Sequence, residues 1–376
     1  MTVRLLLVLF LLFSTGFRYQ NQTPPISSLK FLGEYEVPYN QIFKETVIGG
    51  LSGIDYAPEQ NIYYMISDDR SAIHPARFYT ARIFIGEKGI DSVRFITVST
   101  LLQPNGQVFP NVKADPKNTP DPEAIRYNST AKKLVWTSEG ERIIGPKSSI
   151  LNAPAITVMD LDGGHIESIP VPAILTIQAI EIGPRKNGTL EGLALSPDGQ
   201  TFYVSTEVPL YEDGPEADIT QTNSLIRIYK FDWTSKKNMA QYAYKLEPVA
   251  YKASPETAFK INGIPEILYL DDEKLLVIER SFSTGRLPCT VKVFIADVSY
   301  ADNIIRKKSL KENPPVHLIE KKLLLNMDDL GIYIDNIEGV TFGPDLPNGH
   351  KTLIFLSDNN FSPLEKTQLL LFEVIP

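Results

Sequence analysis

One unit recurs five times along this chain: an apolar strand, a polar turn and a second apolar strand. The copies occupy residues 51–68, 122–139, 190–207, 265–279 and 337–358, and they start about 68 to 75 residues apart. A hairpin buries little by itself, so a repeat of this kind must hide its apolar faces against further copies. The third copy shows the pattern most clearly, as Leu190-Glu-Gly-Leu-Ala-Leu-Ser-Pro-Asp-Gly followed by Gln-Thr-Phe-Tyr-Val-Ser-Thr-Glu207. Its Ser196-Pro-Asp-Gly199 step is a turn signal, because Pro presets φ and Gly supplies φ > 0.

Two further strand-like stretches follow most hairpins. They are 224–231 and 242–246 after the third copy, and 290–296 and 316–320 after the fourth. Four antiparallel strands per repeat is the composition of a β-propeller blade. The last repeat ends with only three strands, at 368–375, and residues 29–37 can supply the missing outer one. That closure joins the chain ends and removes an open sheet edge. The fold expected is an all-β propeller of five four-stranded blades over 29–376. A sixth, degenerate blade has room only in a long connection such as 103–121. Composition agrees: 28 Pro, 17 Tyr and 18 Phe suit many turns and strands.

The N-terminus is set apart. Arg4, the apolar run 5–13 and the small residues Ser14-Thr15-Gly16 describe a signal peptide over 1–16, extending to about 22. The run is short for a membrane span, and no later segment is long and apolar enough for one. The expectation is a secreted or periplasmic monomer with no stable membrane span after cleavage. Net charge is −8 with no basic run, which argues against nucleic acid as a partner. The single cysteine, Cys289, excludes an internal disulfide and a Cys-based zinc site.

Acidic residues recur at two positions of the repeat. The first strands carry Ser52, Glu123, Glu191, Glu266 and Glu338; the second strands carry Asp68, Glu139, Glu207, Glu279 and Asp358. Positions equidistant from a hairpin turn face one another, so centring each pair on its turn places the two acids side by side. First strands line a propeller's channel, and these acids would converge on one mouth. Like charges packed closely need something positive among them. Arg70, Arg142 and Arg280 follow the second strands of three copies. A bound cation is the other candidate, and hard oxygen donors favour Ca²⁺, with Mg²⁺ or Mn²⁺ behind it. The alternative is that the acids tie blades together.

The Glu191-Gly-Leu-Ala-Leu-Ser-Pro-Asp-Gly and Glu338-Gly-Val-Thr-Phe-Gly-Pro steps, with the Ser/Thr-Asp/Glu steps that follow, resemble the phytase-like family described by esterase-like activity of phytase. The resemblance covers roughly 49–373 and implies an exported protein with recurring Glu and Asp residues in phosphoesterase chemistry. Ser52 departs from the pattern. The function expected is a metal-dependent phosphoesterase acting on a phosphorylated small molecule. Glu191, Glu207 and Glu338 would be catalytic, and Arg70, Arg142 and Arg280 would bind substrate. Asp68, Glu123, Glu139, Glu266, Glu279 and Asp358 would hold metal. A Ca²⁺-dependent lactonase-like hydrolase and a non-catalytic binding propeller are the alternatives. No Gly-x-Ser-x-Gly elbow, His-Glu-x-x-His, Walker loop or Gly-x-Gly-x-x-Gly competes.

Overall fold

The computed structural model describes residues 26–376 apart from 87, 147 and 272. The expected signal peptide lies outside these residues. Among the described residues, no helix is long and apolar enough to cross a membrane.

Five antiparallel four-stranded sheets form the blades of a propeller. Blade 1 is Leu51–Ala57, Ile62–Ser67, Arg77–Gly86 and Gly89–Thr100. Blade 2 is Pro122–Asn128, Lys133–Ser138, Ala155–Met159 and His165–Ile169. Blade 3 is Leu190–Leu195, Thr201–Thr206, Leu225–Asp232 and Asn238–Lys245. Blade 4 is Lys260–Asp271, Lys274–Ser283, Thr290–Asp297 and Glu320–Asn326. Blade 5 is Asn336–Phe342, Thr352–Asp358 and Thr367–Ile375, completed by Ser28–Val37 from the start of the chain. That strand pairs from Ser28 opposite Ile375 to Val37 opposite Thr367, which closes the ring as expected. The connection 103–121 forms no sixth blade; it is a loop with one isolated bridge between Leu102 and Val108. The outer strand of blade 4 begins at Glu320, later than the expected 316–320, because Val316 and His317 turn aside to bond Asp302.

The second strands explain the order. Residues Thr201–Thr206 are β-branched or aromatic at most positions and are buried on both faces, since each blade is covered by a neighbour on either side. Five apolar clusters fill the five blade interfaces. Between blades 3 and 4, for example, Tyr203 and Ile226 pack with Ile267 and Val277; between blades 5 and 1, Leu356 and Leu369 pack with Ile54 and Met65. The Ser196–Gly199 turn closes as expected, with the Gly199 N–H donating to the Ser196 carbonyl at 2.8 Å and φ of +70° at Gly199. First strands contact one another around the ring, so their ends surround the central channel.

Candidate functional site

The acids of a hairpin do not face one another. Every first strand carries a register irregularity, for instance between Leu190 and Leu193 against Thr206 and Val204. The extra residue shifts the ladder, which centring on the turn cannot detect. The Asp68, Glu139 and Glu207 N–H groups instead bond the carbonyls of Gly50, Asp121 and Thr189, and Asp358 pairs with Asn336. The first-strand acids Glu123, Glu191 and Glu338 sit two residues beyond these partners, on the bulge itself, which turns them into the channel mouth.

Blade 4 breaks the pattern. Its ladder sets Asn262 opposite Ser281, where blade 3 has Thr189 and Glu207. Glu266 and Glu279 therefore lie away from the mouth. Glu266 is deep in the channel: its carboxylate accepts the Leu193 and Ile267 N–H groups and pairs with Arg126 at 2.7 Å. Glu279 points between blades, accepting from the Tyr244 hydroxyl, the Glu247 N–H, the Asn262 amide and Lys321. Both are placed as ties between blades and are corrected out of the mouth set. Arg142 is corrected with them: it donates to the carbonyls of Gln178, Ala179 and Ile180 and stacks near Tyr211, outside the mouth.

The remaining groups meet in a basin of about 970 Å³ at the channel mouth. Asp68, Glu123, Glu139, Glu191, Glu207 and Glu338 line it with Arg70 and Arg280, and Asp358 lies buried close behind. Asp121 belongs to the same set, although the Pro-rich stretch before Glu123 reads as a surface excursion. The signal was available in the repeat, since Asp121 stands two residues before Glu123 as Asn336 does before Glu338. Asp68, Asp121 and Glu123 each offer an oxygen within 4.8 Å of the others, and so do Glu123, Glu139 and Glu191. Ligands on a Ca²⁺ ion at 2.3–2.6 Å span such distances, and the donor set is all carboxylate oxygen, so these residues fit a hard divalent cation. Glu123 is common to both groups.

Electrostatics agree with the geometry. Burial, then the charge of neighbouring acids, raises the Asp68, Glu123, Glu139 and Glu191 carboxyls well above the usual range. Asp121 is pushed up to about 6 by burial, against the pull of Arg70. Asp358 is raised by burial and by Glu338, and its Oδ2 has no hydrogen-bond partner. Among the described residues three basic side chains line the basin, Arg70, Lys186 and Arg280, and the two arginines pair with its acids. Arg280 spans Glu207, at 2.7 Å from Nη2, and Glu338, whose carboxylate also accepts from Asn336. Arg70 pairs with Glu141 and approaches Asp121 at 3.5 Å. Each arginine keeps buried donors that make no hydrogen bond: Nε of Arg280, and Nη2 and Nε of Arg70, the last facing Asp121 at ion-pair distance.

A model of the phytase-like family, described as esterase-like activity of phytase, matches residues 46–361. A search of curated proteins finds no relative. Among solved structures, the chain is similar to an endo-arabinase from Bacteroides thetaiotaomicron, with 13% identity, 91% of this chain and 97% of that one covered, and a TM-score of 0.43. It is also similar to an exo-β-1,3-galactanase from Phanerochaete chrysosporium, with 12% identity, coverage of 90% and 64%, and a TM-score of 0.43.

Proposed function

The chain belongs to the phytase-like family, and on that premise we propose that it is an exported, metal-dependent phosphoesterase working at the acidic channel mouth. One observation carries the reading: arginines with unpaired buried donors open onto the same basin as carboxylates grouped at metal-ligand distance. A phosphoryl group needs both, a cation to screen its charge and N–H donors to fix its oxygens.

Asp68, Asp121, Glu123, Glu139 and Glu191 would hold the cation, with Ca²⁺ first by donor type and Mg²⁺ or Mn²⁺ behind it. When bound, such an ion screens phosphate charge and lowers the pKa of a coordinated water. The chain's own residues do the rest. Arg70 and Arg280 take phosphoryl oxygens on their unpaired N–H groups. Glu207 and Glu338 hold the Arg280 guanidinium in place from opposite sides, so they position that arginine and need not themselves meet substrate. Glu191 shares one acidic group with Glu123 and Glu139 and also feels the charge of Arg280, so it stands where the cation-holding and arginine parts of the site meet.

The test is phosphate release from a panel of phosphomonoesters and diesters, with Ca²⁺, Mg²⁺, Mn²⁺ or chelator. Metal-dependent release that falls on the order of a hundredfold in Glu123→Gln supports the reading. No release under any metal sinks it; lactone hydrolysis without phosphate release would move the site to the lactonase-like class.

A further inference from the structure

The basin has two unlike walls. Blades 1 to 3 and their loops supply Asp68, Asp121, Glu123, Glu139 and Glu191, with Ala72, Ile73 and Val112 as their apolar side chains and no aromatic ring of their own among the described residues. Blades 4 and 5 supply the rings and most of the larger aliphatic chains: Phe259, Phe282, Leu287, Tyr333, Phe361 and Leu364 open onto the same space, beside Asp335, Glu338 and Glu365. Three of these are strongly solvent-exposed, Phe259 at 63%, Leu287 at 76% and Leu364 at 80%. Other exposed apolar side chains, such as Tyr300 and Val316, do not line the basin. Scattered apolar residues need no explanation, but several gathered at the rim of one polar cleft mark a binding surface.

The same asymmetry is written into the repeat. Blade 4 is the copy that has Ser281 in place of the second-strand acid, and Phe282 follows it directly. The loss of the acid and the gain of apolar wall thus occur in one blade. Phe259, just before the first strand of that blade, packs against Phe282 with ring centroids 6.1 Å apart. Arg280, from the same blade, reaches to the boundary between the two walls.

Charge limits the head group. The basin is lined by eleven acidic side chains and only three basic ones, Arg70, Lys186 and Arg280. A substrate carrying phosphoryl groups all round would set most of them against carboxylates. A single phosphoryl head meets the arginines, and its organic portion then has the apolar wall to cover.

We propose that blades 4 and 5 form an apolar subsite that takes the hydrocarbon portion of a singly phosphorylated, amphiphilic ester whose head lies at Arg70 and Arg280. The head placement rests on the phosphoesterase reading; the apolar subsite does not.

The experiment uses the full chain and two readouts. Binding is measured by calorimetry with ethyl-, butyl-, hexyl- and octylphosphonate below their micellar concentrations, since the P–C bond is not hydrolysed. Turnover is measured as phosphate release from the matching alkyl phosphates and from inositol hexakisphosphate. Kd should fall roughly two- to fourfold per added methylene until the wall is covered, and at least about tenfold from ethyl to octyl. The double variant Phe259→Ser, Leu287→Ser, at surface positions on which the fold does not rest, should flatten that dependence. Equal affinity for ethyl- and octylphosphonate, or a chain-length dependence that survives in the double variant, overturns the subsite. Length-dependent binding without phosphate release from any ester keeps the subsite and removes the phosphoesterase reading. Length-independent release, or faster release from inositol hexakisphosphate, does the reverse.

Discussion

At the scale of single residues, the decisive distinction is between carboxylates that already have partners and those that do not. Glu279 accepts four hydrogen bonds, and Glu266 accepts two N–H groups and is neutralised by Arg126, so the charge of both is already engaged within the protein. Glu123 is shared by both acidic groups and is surrounded by acids. Glu123→Gln should therefore weaken Ca²⁺ binding at least about tenfold in calorimetry, while Glu279→Gln leaves Ca²⁺ affinity within about twofold and lowers thermal stability. The opposite ranking would place the cation elsewhere. Arg280 gives a second prediction. Replacing it with Met leaves Glu207 and Glu338 buried without their counter-charge, a loss on the order of 3 kcal/mol for a buried pair broken on one side. The loss should be larger at pH 8 than at pH 5, because burial raises the Glu207 carboxyl and its protonation relieves the missing counter-charge. Equal loss at both pH values in chemical denaturation would mean that Arg280 acts through packing alone.

At the scale of elements, the repeat made much of the molecule legible. Apolar hairpins at regular spacing, a missing outer strand and a spare N-terminal one lead to five blades and their closure, because alternation and turn chemistry are local properties of sequence. The site was legible only in part, for a reason that lies in one element, the bulged first strand. An extra residue there leaves the hydrophobic pattern intact yet shifts which side chains face one another, so counting from the turn paired Glu191 with Glu207 two places out. In blade 4 the same arithmetic put Glu266 and Glu279 at the mouth, where the ladder puts Ser281 instead. Arg142 misled for a different reason: it follows a second strand as Arg70 does, but the two-stranded excursion Glu141–Ile144 with Ser149–Asn152 turns it outward. The closing strand carries its own prediction. Removing residues 28–37 strips Thr367–Ile375 of its outer partner and exposes a long apolar edge. The truncated chain should aggregate at concentrations where the chain from residue 26 onward, with 28–37 kept, stays monodisperse in light scattering. A monodisperse truncation of unchanged melting temperature would show that the ring is held closed by the blade interfaces alone.

At the scale of the whole molecule, the ring gathers charge that no single blade could carry. Blades 1, 2, 3 and 5 each bring acids to the one mouth, and burial plus mutual repulsion raises the carboxyls of Asp68, Glu123, Glu139, Glu191 and Asp358, with Asp121 pushed to about 6. A carboxyl whose pKa is higher folded than unfolded binds its proton more tightly in the native state. Its contribution to stability is complete below the ordinary value near 4 and disappears as pH rises through the folded value. For Asp121 alone, a rise from 3.8 to about 6 corresponds to a loss on the order of 3 kcal/mol between those limits. In chelator, the melting temperature should therefore fall as pH rises from 4 towards 8. A divalent cation bound at the cluster reverses the sign, because it binds the ionised carboxylates and competes with protons. With millimolar Ca²⁺ the curve should flatten or rise over the same range, and the gap between the two curves should widen with pH. Glu123→Gln, which removes the ligand common to both groups, should narrow that gap. Two parallel curves would show that the ring gathers these acids for its own cohesion and holds no ion at the mouth.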